Sequence, residues 1–159
     1  MKFRGYTLTI ILAILVILIS VLAHGCIKWV AAGIFFPWAL YSFVRIIIRP
    51  AERRSRSIRL AIWMTVIVIL YAVAGYWDSV TRHEANSVAS AVVAFRDRTG
   101  SYPRSLSEIG MDAQLLRDDY RVGYYVSDKG IPSLFYFQPS MPLFVYHYDF
   151  ERSKWFLRG

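Results

Sequence analysis

The sequence predicts an α+β membrane protein, with three transmembrane helices followed by a long helix packed on an antiparallel sheet of three or four strands. Three observations lead to this fold class: long uncharged apolar segments, an uneven distribution of charge, and a late change in side-chain periodicity. Among the 159 residues 56% are hydrophobic and 19% are charged, whereas soluble domains carry about 25% charged residues. This composition excludes intrinsic disorder, and the single cysteine excludes a disulfide scaffold.

Three apolar segments, residues 6–23, 29–48 and 60–77, are long enough to cross a membrane as helices. The first and third contain no charged residue, and the second contains only Arg45. A helix of about 18 residues spans ~27 Å, close to the ~30 Å hydrocarbon core of a bilayer. A cleaved signal peptide is the alternative for the first segment, but such peptides have apolar stretches of only about 7–15 residues. We therefore predict residues 1–77 as a three-span transmembrane region.

The basic residues predict which way these spans point. Residues 1–77 contain nine Lys and Arg against one acidic residue, a net charge of +8, whereas residues 78–159 balance to zero. Five arginines lie in the segment 49–59 between the second and third spans. The positive-inside rule places this segment and the N-terminus in the cytoplasm, and residues 78–159 in the periplasm of a bacterium, with the spans in the inner membrane. Six arginines are expected to set this topology and contact lipid headgroups: Arg45, Arg49, Arg53, Arg54, Arg56 and Arg59.

The residues after the third span predict one long helix. Residues 78–99 contain apolar side chains at helical spacing and neither glycine nor proline. Gly100 then supplies the C-terminal stop. Ser105 and Glu108 have the spacing of a capping box, which predicts a short helix beginning there. The face of the long helix that we expect to be buried consists of Ala85, Val88, Ala89, Val92 and Phe95.

From Tyr120 the side-chain pattern changes to a period of two, which predicts β-strands. The alternation is clearest where Val122, Tyr124 and Val126 are interleaved with other residues. We expect the long helix to pack on one face of an antiparallel meander, in a domain of residues 78–159. The predicted strands cover residues 120–126, 131–137, 144–150 and 155–157.

Between the long helix and the strands lies the segment from Gly100 to Leu106, a Gly-x-Tyr-Pro-x-x-Leu pattern. A helix leaving the membrane, this segment and several antiparallel strands together resemble the headgroup of type IV pilins and type II secretion pseudopilins. The resemblance covers residues 78–157 and implies a helix-plus-sheet fold. It also implies a place in a pilus or secretion machine, although pilins have one N-terminal span where this chain has three apolar segments.

No motif in the sequence predicts catalysis, a cofactor or a metal site. His83 and Glu84 match the start of a zinc-protease helix, but the position of the required second histidine is occupied by Ser87. Asp118 and Asp119 precede a predicted strand and are typical of a helix end followed by a turn. The basic residues lie between apolar segments and do not form a basic surface on a folded domain. Nucleic acid is therefore not an expected partner. We therefore expect a non-enzymatic protein without a cofactor.

The aromatic residues of the predicted periplasmic domain exceed what its core needs, and aromatic side chains are favoured in interfaces. We expect the third-strand face with Phe144, Tyr146 and Tyr148 to pack on the helix. This arrangement leaves three candidates for an open, partner-binding face: Tyr125, Tyr136 and His147. The favoured interpretation is an immunity protein against a secreted antibacterial toxin that acts at the inner membrane or in the periplasm. The alternative is an accessory component of a pilus or secretion machine.

Overall fold

The computed structural model describes residues 4–23, 28–128, 130–141 and 143–158. The chain forms two compact units, residues 1–75 and residues 76–159, and each unit has a core of its own. Cys26, in the loop after the first apolar segment, lies outside the described residues, as do Lys129 and Pro142.

The N-terminal unit is helical. It contains α1 (Arg4–Leu22), α2 (Lys28–Ile48), a short 3-10 helix (Pro50–Glu52) and the first part of α3 (Arg53–Thr99). By length and composition α2 and α3 are able to cross a membrane, whereas the apolar part of α1, Tyr6–Leu22, is shorter. The structure therefore contains two candidate spans among its described residues, where the sequence predicted three.

The outer surfaces of α1 and α2 are apolar. Leu22 is 79% exposed and Phe36 is 75% exposed, although large apolar side chains are normally buried in a soluble protein. The inner positions include small residues, among them Ala13, Ser20 and Ser42, which are buried. Small residues inside and large apolar residues outside are the arrangement typical of membrane helices.

The third helix is the longest element of the chain. α3 runs for 47 residues without interruption from Arg53 to Thr99 and contributes to both units. Gly100 follows with φ of 78°, a left-handed conformation that glycine adopts without strain. Its N–H donates to the carbonyl of Arg96 at 2.8 Å. The predicted helix stop at Gly100 is confirmed.

The predicted capping box is wrong in its detail. A short helix does follow Ser105, but it is a 3-10 helix (Leu106–Ile109), and the Ser105 side chain makes no capping hydrogen bond. The Glu108 carboxylate instead accepts the backbone N–H of Arg104 at 3.0 Å. A 3-10 turn is tighter than an α-turn. The Glu108 carboxylate therefore faces a different backbone amide from the one that a capping box predicts.

The next helix has a side-chain cap. α4 (Ala113–Asp118) begins after Asp112, whose Oδ1 accepts the backbone N–H groups of Gln114 and Leu115 at 2.8 and 3.1 Å. Such a bond satisfies amides that have no partner within the helix. α4 ends at Asp118, as expected from the helix-end pattern of Asp118 and Asp119.

The C-terminal part of the chain is a four-stranded antiparallel meander. The strands are β1 (Val122–Val126), β2 (Pro132–Phe137), β3 (Val145–Asp149) and β4 (Lys154–Arg158), and they lie in the order β1-β2-β3-β4. All three neighbouring pairs are antiparallel. The predicted α+β class, with a long helix and an antiparallel sheet, is confirmed.

One face of the sheet packs on α3 to form the core of the C-terminal unit. Ala85, Val88 and Val92 of α3 are fully buried in this core. Leu134 of β2 is also fully buried there, and Leu106 of the 3-10 helix contributes to it. The predicted buried face of the long helix is therefore confirmed at these positions, because apolar residues at helical spacing meet the alternating apolar residues of the strands.

Candidate functional site

Antiparallel pairing gathers five ring-bearing side chains on the sheet face that does not pack on α3. Phe135 pairs with His147, and His147 pairs with Phe156. Directly paired residues share a face, and side chains two positions apart along a strand do so too. We term the set the open aromatic face: Tyr125, Phe135, Phe137, His147 and Phe156.

The rings of the open aromatic face contact one another across all four strands. Phe135 is at the centre, with its ring centroid 6.2 Å from Tyr125, 5.8 Å from Phe137 and 5.7 Å from His147. His147 lies 5.9 Å from Phe156 on the edge strand. Tyr125 is 55% exposed and Phe156 is 48% exposed, so the face combines a continuous set of rings with access to a partner.

Glycine at position 123 makes room for the central ring. Gly123 pairs with Phe135 across β1 and β2. A Cβ atom at position 123 would lie 2.9 Å from two carbons of the Phe135 ring, closer than van der Waals contact allows. The Phe135 ring therefore covers the strand backbone at Gly123, in the space that a Cβ atom would occupy in other residues.

Burial lowers the pKa of His147, and the positive charge of Arg158 lowers it further. The lowered pKa favours the neutral form of the imidazole, which is compatible with a position between the rings of Phe135 and Phe156. On the same face, the Asp149 carboxylate accepts the backbone N–H groups of Glu151 and Arg152 and pairs in register with Lys154. Lys154 and Arg158 of β4 add two basic side chains to this face, with the Asp149 carboxylate opposite Lys154.

The structure brings two of the three predicted partner-binding residues together and separates the third. Tyr125 and His147 lie on the open face, where both contact Phe135. The expectation that Tyr136 joins them is wrong: it is 5% exposed and belongs to the core on the α3 side. Its register partner Tyr146 stacks on it at 5.1 Å, so both residues necessarily occupy the same face.

Sequence reasoning missed Phe135, Phe137 and Phe156. The β2 segment Leu134–Phe137 is apolar at every position, so a period of two does not identify its core-facing residues. The core-facing residues of β2 could be identified only by pairing β2 with the third strand. Tyr146 and Tyr148 were correctly expected on the helix side, and the register with β3 then assigns Tyr136 to that side.

The predicted topology arginines divide into separate groups around the turn from α2 to α3. Glu52 is the centre of one group, with Arg56 Nη2 at 2.7 Å, Arg49 Nη1 at 3.3 Å and Arg45 Nη2 at 3.8 Å from its carboxylate oxygens. Hydrogen bonds from Arg56 and then Arg49 lower the pKa of Glu52. The guanidinium carbons of Arg45 and Arg56 also lie 5.7 and 5.6 Å from the ring centre of Tyr41.

The remaining three arginines of this set have other surroundings. Arg59 lies over the ring of Tyr6, with its guanidinium carbon 6.0 Å from the ring centre. Arg53 and Arg54 are exposed in the first turn of α3. The segment thus combines a cluster ordered around Glu52 with two arginines that face outward.

No group of three or more His, Cys, Asp or Glu side chains among the described residues is arranged to hold a metal ion. Comparison of the chain with protein-family models, with curated proteins and with solved structures finds no significant match. The geometry of the chain itself is therefore the basis on which a function is inferred.

Proposed function

We propose that this chain is an integral inner-membrane protein that presents its C-terminal unit in the periplasm to bind another protein. The membrane part of the proposal counts α1 as a third span beside α2 and α3. The exposed apolar surface of α1 and α2 supports membrane insertion, because exposure of such a surface to water is unfavourable. The arginines between α2 and α3 support a cytoplasmic position for that turn.

The observation that carries the binding role is the open aromatic face. A contiguous set of exposed rings is uncommon on a monomeric soluble surface and is typical of interaction sites. Phe135 lies over Gly123 and contacts three neighbouring rings, so we infer that a partner meets a pre-organised surface and that little entropy is lost in ordering it. Tyr125 and Phe156 are the most exposed of the set's three exposed members, the third being Phe137, and we infer that they are the energetic anchors.

The partner that best fits this face is a secreted protein with an apolar patch and an acidic margin, because Lys154 and Arg158 supply basic charge along β4. We infer that it is an antibacterial toxin that acts at the inner membrane or in the periplasm, which makes the chain an immunity protein. Blocking a toxin requires a binding surface, a membrane location and no catalytic residue.

An accessory role in a type IV pilus or type II secretion-like machine is the second candidate. The observation that favours it is the long α3 followed by a four-stranded meander, together with the Gly100–Leu106 pattern. In that role the open aromatic face would contact another component of the assembly.

A survival assay tests the proposed function. Cells produce the full chain and export the protein encoded beside its gene into the periplasm. We expect wild-type chain to protect them and the double variant Tyr125→Ala/Phe156→Ala to fail, because loss of anchor residues costs about 2 kcal/mol or more of binding. Leu115→Ala is the matched control, since it removes an exposed apolar side chain of α4 that does not belong to the open aromatic face. Membrane levels of all variants are compared by immunoblot.

Two results would overturn the immunity proposal: an exported neighbour that harms no cells, or protection that persists after deletion of residues 82–159. If the neighbouring genes encode pilus components whose surface assembly fails without this chain, the second candidate function replaces the first.

A further inference from the structure

A cleft lies on the helix-facing side of the sheet in the C-terminal unit. Its volume is about 380 Å³, within the range of roughly 300–1,000 Å³ found for small-molecule sites. Asp78 and Arg82 of α3 line one side, and Tyr136, Tyr146 and Trp155 line the other. None of these residues belongs to the open aromatic face, so the cleft is a separate site.

Asp78 and Arg82 have opposite charges and lie one helical turn apart, a spacing at which such residues commonly pair. Here the Asp78 carboxylate binds elsewhere. It accepts the side-chain amide of Gln138 at 2.9 Å, the backbone N–H of Ser140 at 2.9 Å and the Ser140 hydroxyl. The ion pairs found among the described residues include neither Asp78 nor Arg82. The cleft is therefore lined by a negative and a positive side chain, and none of the ion pairs found among the described residues joins the two.

The aromatic side of the cleft is built from rings that contact one another. Tyr136 and Tyr146 stack with ring centroids 5.1 Å apart, and Trp155 meets Tyr136 edge-on at 4.9 Å. The indole Nε1 of Trp155 donates to Oδ1 of Asn86 at 2.7 Å. Burial raises the pKa of Tyr136, so its hydroxyl remains a hydrogen-bond donor at neutral pH.

The two charged residues follow the last apolar segment of the chain directly. Asp78 comes immediately after Trp77, and Arg82 is five residues after Trp77 on the same uninterrupted helix. At 1.5 Å per residue, Arg82 lies ~7.5 Å beyond Trp77 along the helix axis. The headgroup layer on each side of a bilayer is roughly 5–8 Å thick. This placement rests on the proposed function, in which residues 60–77 cross the membrane. Asp78 and Arg82 then lie at the level of the lipid headgroups.

We propose that the cleft binds a zwitterionic phosphate–ammonium group, the chemistry of a phosphoethanolamine headgroup. Arg82 donates charge-assisted hydrogen bonds to the phosphate. The ammonium group lies towards Asp78 and the neighbouring rings, which attract cations through their π-electrons. An anionic headgroup without an ammonium group offers Asp78 no cation, so a cleft lined by both charges favours a zwitterion over an anion.

Native mass spectrometry of the full chain tests this assignment. The protein is incorporated into nanodiscs that contain equal amounts of phosphatidylethanolamine and phosphatidylglycerol, and the lipids retained on the released protein are counted. We expect wild-type protein to retain phosphatidylethanolamine preferentially and Arg82→Gln to reduce that retention about tenfold, as loss of a charge-assisted bond predicts. Arg98→Gln is the matched control, because it removes an exposed arginine from the last turn of the same helix.

A second experiment distinguishes two sources of the phosphate–ammonium group: a membrane lipid and the free small molecule. Free phosphorylethanolamine is added to the detergent-solubilised protein, with phosphate alone and ethanolamine alone as controls, and the thermal unfolding midpoint is measured. A rise with phosphorylethanolamine only, absent in Arg82→Gln, supports recognition of the free group. Preferential lipid retention without such a rise supports the membrane lipid as the ligand.

Three results overturn the inference. Equal retention of both lipids without a thermal effect excludes zwitterion selection, and equal losses in Arg82→Gln and Arg98→Gln exclude the cleft. Failure of the chain to enter nanodiscs removes the membrane premise and contradicts the proposed function as well. In the first two cases the proposed function stands, because the survival assay depends on Tyr125 and Phe156 and not on Arg82.

Discussion

The indole Nε1 of Trp155 donates a 2.7 Å hydrogen bond to the side-chain oxygen of Asn86, 69 residues earlier in the chain. This bond joins β4, the edge strand of the sheet, to α3. Trp155 also packs against Tyr136 and Tyr148 at 4.9 and 5.0 Å, so its side chain joins β4 to the core in addition to the backbone pairing of β4 with β3.

Replacing Asn86 with alanine should weaken the attachment of β4 to α3. We expect a loss of about 1 kcal/mol in the free energy of unfolding, because one hydrogen bond is lost and Asn86 is solvent-accessible. Hydrogen–deuterium exchange of the full chain in detergent should become faster in peptides covering β4. Ser87→Ala, at the next exposed position of the helix, is the control and should leave exchange unchanged. Equal exchange rates in wild type and Asn86→Ala would contradict the structural role of this bond.

Tyr124 anchors β1 to the segment that follows the long helix. Its hydroxyl donates to the carbonyl of Pro103 at 2.7 Å, and burial raises its pKa from 10.0 to about 12. Tyr124→Phe leaves the buried carbonyl without this partner, which should cost about 1–3 kcal/mol of unfolding free energy. Chemical denaturation followed by far-ultraviolet circular dichroism measures the loss, and an unchanged midpoint would contradict it.

The same residue predicts a dependence of stability on alkaline pH. The folded state favours the protonated hydroxyl, so the contribution of Tyr124 is complete below pH 10 and disappears as the pH rises from 10 towards about 12. In Tyr124→Phe this part of the pH dependence should be missing. The difference in unfolding free energy between wild type and variant should therefore shrink across that interval.

A side chain at position 123 should destabilise the sheet, because the Phe135 ring covers that position. Gly123→Ala places a Cβ against the Phe135 ring, and we expect a destabilisation of about 1–3 kcal/mol from overpacking. Phe135→Leu in the same chain should recover part of that loss, because it removes the ring that collides. A double-mutant cycle on unfolding free energies measures the coupling, and purely additive effects would refute the contact.

Reporter fusions test the orientation of the chain. A reporter active only in the periplasm should be active when fused after Gly159 and inactive when fused after Arg56, because the arginines between α2 and α3 favour the cytoplasm. A reporter active only in the cytoplasm serves as the control and should show the reverse pattern. The opposite result with both reporters would invert the topology and exclude a periplasmic partner.

Much of the fold was predictable because its causes are local. The alternation of Val122, Tyr124 and Val126 identifies β1, and the absence of glycine and proline after Trp77 allows the helix to continue to Thr99. The error at Tyr136 has a specific origin: β2 is apolar on both sides, so a shift of one residue in its pairing fits the pattern equally well. Only the register of Tyr136 with Tyr146 identifies the core-facing side.

The sequence by itself determined the division of charge between the two halves, the apolar helical segments, the long helix with its stop at Gly100, and the antiparallel strands. These features follow from composition, periodicity and turn residues that act over a few positions. The tertiary structure alone decided which rings form the open aromatic face and that Asp78 binds Ser140 instead of pairing with Arg82. Both depend on contacts between residues about 10 to 60 positions apart in the chain, which no local pattern specifies, because strand register and helix packing are set by the core as a whole.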